Sequence, residues 1–432
     1  MAEATAAVQT YIEEHREDLF DLVARLVETP SVSGEEGPAQ ELVVGELESL
    51  GLDPDVWEPD VERFRDHPGY FDTKTYDDVG YEGRPNVAAR IEGEGEGPSL
   101  TLSGHVDVVP VEAEDWTHDP WTATREDGRL YGRGACDMKG GLAANLFVAR
   151  ALRESGVELS GDLLLQSTID EEAGGTGGVL AALERGYQPD AAVIPEPFGI
   201  PDIGIASSGV MYVRVTVEGK AAHAAYGYEG VNAIDRLARI VTALEELDRE
   251  RKARIDYQPA VNQDPAAEGA VTNLNAGIVA GGDWPSTVPA EATVECRVGW
   301  PPGETREEVR SQVENAVESV AAEDDWLAEH PPEVEWFGWN AEPHECDRDA
   351  EVVALACEHA AAVCGAEGQF VGGLAGLDER FYVNYYDIPC PTVGPVGHNL
   401  HGADESVELD SLVETAKVLA ATAIDFCGVA DG

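Results

Sequence analysis

The chain has 432 residues, of which 84 are Asp or Glu and 28 are Lys or Arg, a formal charge of −56. This balance excludes a nucleic-acid binder that works by neutralising phosphates, which needs clustered basic surface. With 43% hydrophobic residues and 8 Trp, 13 Tyr and 9 Phe, the chain is also too apolar for intrinsic disorder.

The N-terminal stretch MAEATAAVQTYIEEHRED has neither a positive start nor an apolar core. No apolar run approaches the ~18 residues of a membrane helix, so a cytoplasmic protein with no membrane partner is expected. Apolar positions at helical spacing predict one helix over about Val8–Glu28, stopped by Thr29-Pro30, and a second over about Glu36–Leu50, ended by Gly51. Asp60–Gly83 is rich in Asp, Gly, Pro and Tyr without periodicity and reads as a surface excursion. Four short apolar runs follow, each running into a polar cluster: Ser99–Leu102 before GHVDVV, Asp162–Thr168 before DEEAGG, Ala191–Ile194 before PEP, and Thr392–Val393 before GPVGHNLHG. Predicted helices over about Lys139–Glu154 and Gly177–Arg185 lie between them. Strands alternating with helices predict an α/β sheet whose reactive groups gather beyond the carboxyl ends of the strands.

Between these halves the pattern changes. Met211–Val217, Val271–Val279, Ala292–Val298 and Val334–Phe337 read as strands, with helices over Val231–Leu247 and Thr305–Ala321. Strand-helix-strand-strand-helix-strand is the split βαβ order. The expected organisation is therefore a catalytic domain in two parts, 1–208 and 338–432, interrupted by an inserted α+β domain over 209–337. Seven scattered cysteines, none spaced as CxxC, indicate neither a disulfide framework nor a zinc ribbon. Only Lys74, Lys139, Lys220, Lys252 and Lys417 are lysines, and acid in excess with lysine scarce suggests a halophilic source whose salt screens the surface.

The chemistry lies at the strand ends. His105 and Asp107 stand in GHVDVVP, Asp137 in GRGACDMKGG, Glu171 and Glu172 in IDEEAGG, Glu196 in IPEPFG and His401 in GHNLHGADE. One zinc ion needs fewer ligands than this set offers, so two metals sharing a carboxylate is the simpler arrangement. Asp137 can give one oxygen to each, with His105 and Glu196 on one metal and His401 and Glu172 on the other. Asp107, two residues after His105, is placed to accept the other N–H of that imidazole. Glu171, adjacent to a ligand yet free, can take the proton of the attacking water. Imidazole with carboxylate suits Zn²⁺, with Co²⁺ or Mn²⁺ as alternatives.

GHVDVVP (104–110), GRGACDMKGG (132–141), DEEAGG (170–175), PEP (195–197), GKAAHA (219–224) and HGADE (401–405) together resemble one family. It is the dinuclear zinc hydrolases that include acetylornithine deacetylase, succinyl-diaminopimelate desuccinylase, aminoacylase and carboxypeptidase G. The resemblance implies a zinc-peptidase-like catalytic domain with an inserted ferredoxin-like lid through which the chain forms a homodimer. It implies hydrolysis of the amide bond of an N-acyl amino acid, or, as the alternative, a carboxypeptidase or dipeptidase acting on a short peptide. It also implies a cis peptide at Asp137-Met138. His223 matches a histidine that reaches across the dimer to stabilise an oxyanion, and Arg297 matches an arginine that holds the substrate carboxylate. In GGLAGLDERF (372–381), Arg380 is a second candidate substrate contact, while Gly376 and Leu377 replace the Thr-Ser pair of desuccinylases. The remaining histidines, His15, His67, His118, His330, His344 and His359, are expected to be solvated or capping, and His398 to be structural or to support a ligand from behind.

Overall fold

A computed structural model of the chain describes residues 1–111 and 116–430. The chain divides into two compact units. One comprises Met1–Ala206, Glu345–Gly372 and Leu377–Gly432, and the other comprises Ser207–His344 with Gly373–Gly376.

In the first unit a five-stranded sheet runs from edge to edge as Asp55–Trp57, Asn86–Ile91, Leu163–Thr168, Leu100–His105 and Ala191–Val193. The last three are parallel and the first two antiparallel to their neighbours. Every residue of Leu100–His105 and of Leu163–Thr168 is buried, which is why these strands read as continuous runs rather than as alternation. Register decides where the chemistry falls. His105 pairs with Thr168, and Leu102 with Val193, so equal three-residue steps bring His105 and Glu196 to the same level. The helix Gly140–Glu154 is buried on nearly every side, and Asn145 ties it to the sheet by donating to the Ser103 carbonyl at 2.9 Å. It packs against Leu409–Cys427, Ala2–Glu14 and Arg16–Val27.

Several expected elements are revised. The single N-terminal helix is two, Ala2–Glu14 and Arg16–Val27, broken at His15, whose ring stacks on Tyr11 and bonds the Tyr11 carbonyl. Thr392–Val393 contributes only isolated bridges to Ile194 and Gly204. Gly177–Arg185 divides into a π turn, Thr176–Leu180, and a short helix, Ala181–Arg185. The expected surface excursion at 60–83 is anchored instead: Val61, Phe64, Phe71 and Tyr81 are all buried. Its purpose lies in its polar groups. The Tyr81 hydroxyl donates to Asp170 Oδ2 at 2.9 Å, and the next basic residue, Arg84, forks onto Glu36 at 2.7 and 2.6 Å and reaches Asp170 at 3.1 Å.

The second unit is a four-stranded antiparallel sheet in the order Asn273–Gly281, Glu291–Trp300, Gly209–Glu218, Glu333–Ala341. Helices Ala233–Arg254 and Arg306–Ala322 bury one face through Val213, Val215, Val294, Val298, Leu237, Ile240 and Val313. The intervening strand positions, Tyr212, Arg214, Glu295 and Arg297, form the other face. Gly373–Gly376 joins this unit because Ser208 N–H donates to the carbonyls of Gly373 and Ala375, and Arg297 to that of Leu374. His344, expected to be solvated or capping, is buried and bonded to Ser207 Oγ at 2.8 Å.

Replacing Arg84 with Met would leave the buried carboxylates of Glu36 and Asp170 without their cation, a loss of about 3–5 kcal/mol. Burial pushes the Asp170 carboxyl up to about 7, and a folded pKa above the unfolded one means stability present in acid and lost as pH rises through that value. In urea denaturation, Arg84→Met is therefore expected to be less destabilised relative to wild type at about pH 5.5 than at about pH 7.5.

Candidate metal centre

His105 is the last residue of its strand, and the chain continues through Val106 to Asp107. After Leu163–Thr168 the backbone turns sharply at Asp170, whose φ of 70° lies in the left-handed region, and enters the short turn Glu171–Ala173. Asp137 lies in the turn Ala135–Lys139 that leads into Gly140–Glu154, and the Asp137–Met138 peptide is cis. His401, also left-handed at φ 61°, stands in the loop between the paired strands Gly397–His398 and Ser406–Glu408.

These segments converge. Asp137 lies between two imidazoles, Oδ1 at 3.3 Å from His105 Nε2 and Oδ2 at 3.2 Å from His401 Nε2. His105 Nε2 also faces Glu196 Oε1 at 3.4 Å and Glu171 Oε2 at 3.8 Å, while His401 Nε2 meets Glu172 Oε2 at 3.0 Å. His105 thus stands with Glu196, and His401 with Glu172, on either side of Asp137.

Asp107 does different work from that expected. His105 Nδ1 donates to the Asp107 backbone carbonyl at 2.9 Å, and the carboxylate is farther away at 3.6 Å. That carboxylate instead accepts the N–H groups of Glu171 and Glu172, each at 3.2 Å, and the Ser33 hydroxyl at 2.8 Å. It thus fixes the turn that carries both glutamates. A side chain two residues from an imidazole is well placed for either job, and the backbone carbonyl is closer.

Charge is crowded here. Burial raises the carboxyls of Glu172 and Glu196, each to about 7, and raises Glu171 well above the usual range. Burial also acts to raise Asp137, but the imidazoles of His105 and His401 beside it outweigh that and hold it below the ordinary value. Bonds to Asp137 and Glu172 push His401 up to about 10. For His105 burial opposes the charge, and Glu196 with Asp137 overcomes it.

Among the described residues no lysine or arginine ion-pairs with Asp137, Glu171, Glu172 or Glu196. His105 Nε2 and Glu171 Oε1 are buried without a hydrogen bond, and donor atoms of His105, Asp137 and Glu172 all lie within 4.8 Å of one another. Four carboxylates facing two imidazoles fit bound divalent metal.

The other candidates are placed elsewhere. His223 belongs to the second unit and is exposed; its Nδ1 accepts the Ala225 N–H at 3.1 Å. Arg297, also in the second unit, donates to Asn273 Oδ1 at 2.5 Å and the Leu374 carbonyl at 3.3 Å. Arg380 corrects the expectation of a substrate contact: it is buried, its fork donating to the carbonyls of Leu377 and Gly174, so it braces the glutamate turn from behind. His398 bonds Glu408 at 2.8 Å.

Asp378 escaped sequence reading. It is buried beside the glutamate turn, where its Oδ1 comes so close to Gly175 that a Cβ there would lie 1.8 Å away. The one signal available was its place two residues before Arg380 in GLDERF.

Protons held at neutrality on His401, Glu172 and Glu196 must leave when metal enters. Titration of metal-free protein with Zn²⁺ near pH 7 is expected to release them, so the calorimetric heat should vary with the ionisation enthalpy of the buffer. Affinity should fall as pH is lowered. Heats independent of buffer would contradict this proton inventory.

Residues 101–425 match the family described as Peptidase family M20/M25/M40. Among curated relatives, N-formyl-4-amino-5-aminomethyl-2-methylpyrimidine deformylase of Bacillus subtilis (strain 168) is 30% identical, the match covering 98% of this chain and 97% of that one. Succinyl-diaminopimelate desuccinylase of Gluconacetobacter diazotrophicus is 29% identical over 93% and 94% of the two chains. Among solved structures, the di-peptidase Dug1p of Saccharomyces cerevisiae shares the fold with a TM-score of 0.75 at 17% identity, over 99% of both chains. Family match, relatives and a carboxylate shared between two imidazoles agree: the chain belongs to peptidase family M20/M25/M40 and is a metal-dependent amidohydrolase.

Proposed function

We propose that the chain is a deacylase that hydrolyses the amide bond of a small N-acyl amine, N-acyl amino acids included. Two divalent ions, Zn²⁺ first and Co²⁺ or Mn²⁺ as substitutes, would be held by His105, Asp137 and Glu196 on one side and Asp137, His401 and Glu172 on the other. The observation that carries this reading is Asp137, with one oxygen toward each imidazole. When bound, such a pair supplies Lewis-acid polarisation of the carbonyl and lowers the pKa of water to about 7.

The protein's own groups do the rest. Glu171, as the carboxylate, takes the proton of the attacking water and returns it to the amine nitrogen as the C–N bond breaks. Asp107 aims Glu171 through the backbone of its turn. In the second unit, the His223 Nδ1 accepts a backbone N–H, which leaves the proton of the neutral ring on Nε2, free to donate to an oxyanion. Arg297 has the planar fork suited to a substrate carboxylate.

A homodimer through the second unit is supported by its edge strand Asn273–Gly281, which leaves Ile278 and Val279 exposed, with Trp284 beyond it. Deacylation is preferred over peptide cleavage because, whereas the di-peptidase shares the fold at 17% identity, the relatives at 29–30% identity are a deformylase and a desuccinylase. These two differ in both acyl group and amine, which leaves the N-acyl link as the shared feature.

A panel of N-formyl, N-acetyl and N-succinyl amines and amino acids, set beside dipeptides in molar KCl with Zn²⁺ or Co²⁺, is expected to show turnover of one or more N-acyl compounds. Turnover of dipeptides alone would sink the deacylase reading. On the best substrate, Glu171→Gln is expected to lower kcat by roughly 10²–10⁴ with metal content unchanged. Near-wild-type kcat would remove Glu171 from the proton-transfer role.

A further inference from the structure

Arg133 and Glu405 stand outside the ligand set, yet both are buried, at 2% and 0% exposure. They pair at 2.6 Å, Arg133 Nη1 to Glu405 Oε2. Each then reaches a different ligand. Arg133 Nη2 donates to the His401 carbonyl at 2.9 Å, and Glu405 Oε1 accepts the N–H groups of Cys136 and Asp137, both at 3.2 Å. The Gly132 N–H closes the loop on the Glu405 carbonyl at 2.9 Å.

We propose that the Arg133–Glu405 pair is a positioning device for one half of the metal centre, the half built on His401 and Asp137. This rests on the dinuclear reading above. The two imidazoles are held differently. His105 is buried at the end of a strand and has its second ring nitrogen tied to the Asp107 carbonyl. His401 has a side chain 53% exposed, and among the described residues its second ring nitrogen has no such tie. Its aim therefore depends on its backbone, which is left-handed at φ 61° and held from behind by Arg133.

The same ion pair sets the peptide of Asp137. One guanidinium thus fixes the carbonyl of one ligand directly and the amide of the other through Glu405. A planar fork can hold both at once, and a point charge cannot. Support of this kind around metal ligands changes metal affinity by about 10–100-fold. A pair that served only the fold would act on both halves alike.

The test uses the full chain, stripped of metal by chelation and titrated with Zn²⁺ in a calorimeter, with Co²⁺ absorption as a second readout. Wild type is expected to take two equivalents, and the step lost in His401→Ala identifies the His401 half. In Arg133→Met and Glu405→Gln that step should weaken about 10–100-fold, the other step, which shares Asp137 but keeps His105, should weaken by less, and the Co²⁺ spectrum of the His401 half should change. If Arg133→Met does not fold, Arg133→Lys, which keeps the charge and loses the fork, is measured in the same way. Wild-type affinity at both steps in a folded variant, or equal weakening of both, would overturn the proposal. Fewer than two equivalents in wild type would instead overturn the dinuclear reading on which it rests.

Discussion

Burying several carboxylates within a few ångströms of one another is unfavourable unless positive charge or protons separate them. In this chain the buried acids around the centre fall into two groups. Asp170, Glu405 and Asp378 each have an arginine, Arg84, Arg133 and Arg380 respectively, at 3.1, 2.6 and 3.8 Å. Among the described residues, the ion-pair partners of Asp137, Glu171, Glu172 and Glu196 are imidazoles. The outer acids have a guanidinium of the protein beside them, and Asp170 and Glu405 hold backbone N–H groups. The inner acids are left with an unmet demand for positive charge, and that demand is what a metal-dependent hydrolase uses.

The outer group explains how loops come to act as rigid parts. The glutamate turn is gripped from three sides: Asp107 accepts its N–H groups, Arg84 and Tyr81 hold Asp170 at its entry, and Arg380 takes the Gly174 carbonyl at its exit. The His401 loop is short and partly exposed, and its carbonyl is captured by Arg133. Parallel strands supply the common level, and side-chain-to-backbone bonds supply the aim.

Much of this was legible in the sequence, for a physical reason. Parallel strands buried on both faces read as unbroken apolar runs, and glycine-flanked acids immediately after them mark strand ends; His105, Glu172 and Glu196 were found in that way. The split βαβ order of the second unit followed from strands that alternate and helices with one apolar face. What escaped was set by contacts between segments distant in sequence. Nothing local shows that Tyr81 and Arg84 of an aperiodic stretch reach Asp170, that Arg380 would spend its fork on carbonyls, or that Asp378 would pack on Gly175. The break at His15 was hidden because apolar positions continue across it with helical spacing, while the ring competes for the Tyr11 carbonyl.

The interior arginines have a further consequence. Arg84, Arg133, Arg251 and Arg380 are among the largest fully buried side chains of the protein. Bulk ions act on exposed charges and scarcely reach pairs sealed from water. The outer surface and the scaffold of the centre therefore respond to separate variables. Ionic strength tunes repulsion across the acidic exterior, while the geometry around Asp137 is governed by dehydrated pairs that dissolved salt does not touch. Substitutions that add or remove surface acid can accumulate without disturbing the aim of a single donor atom.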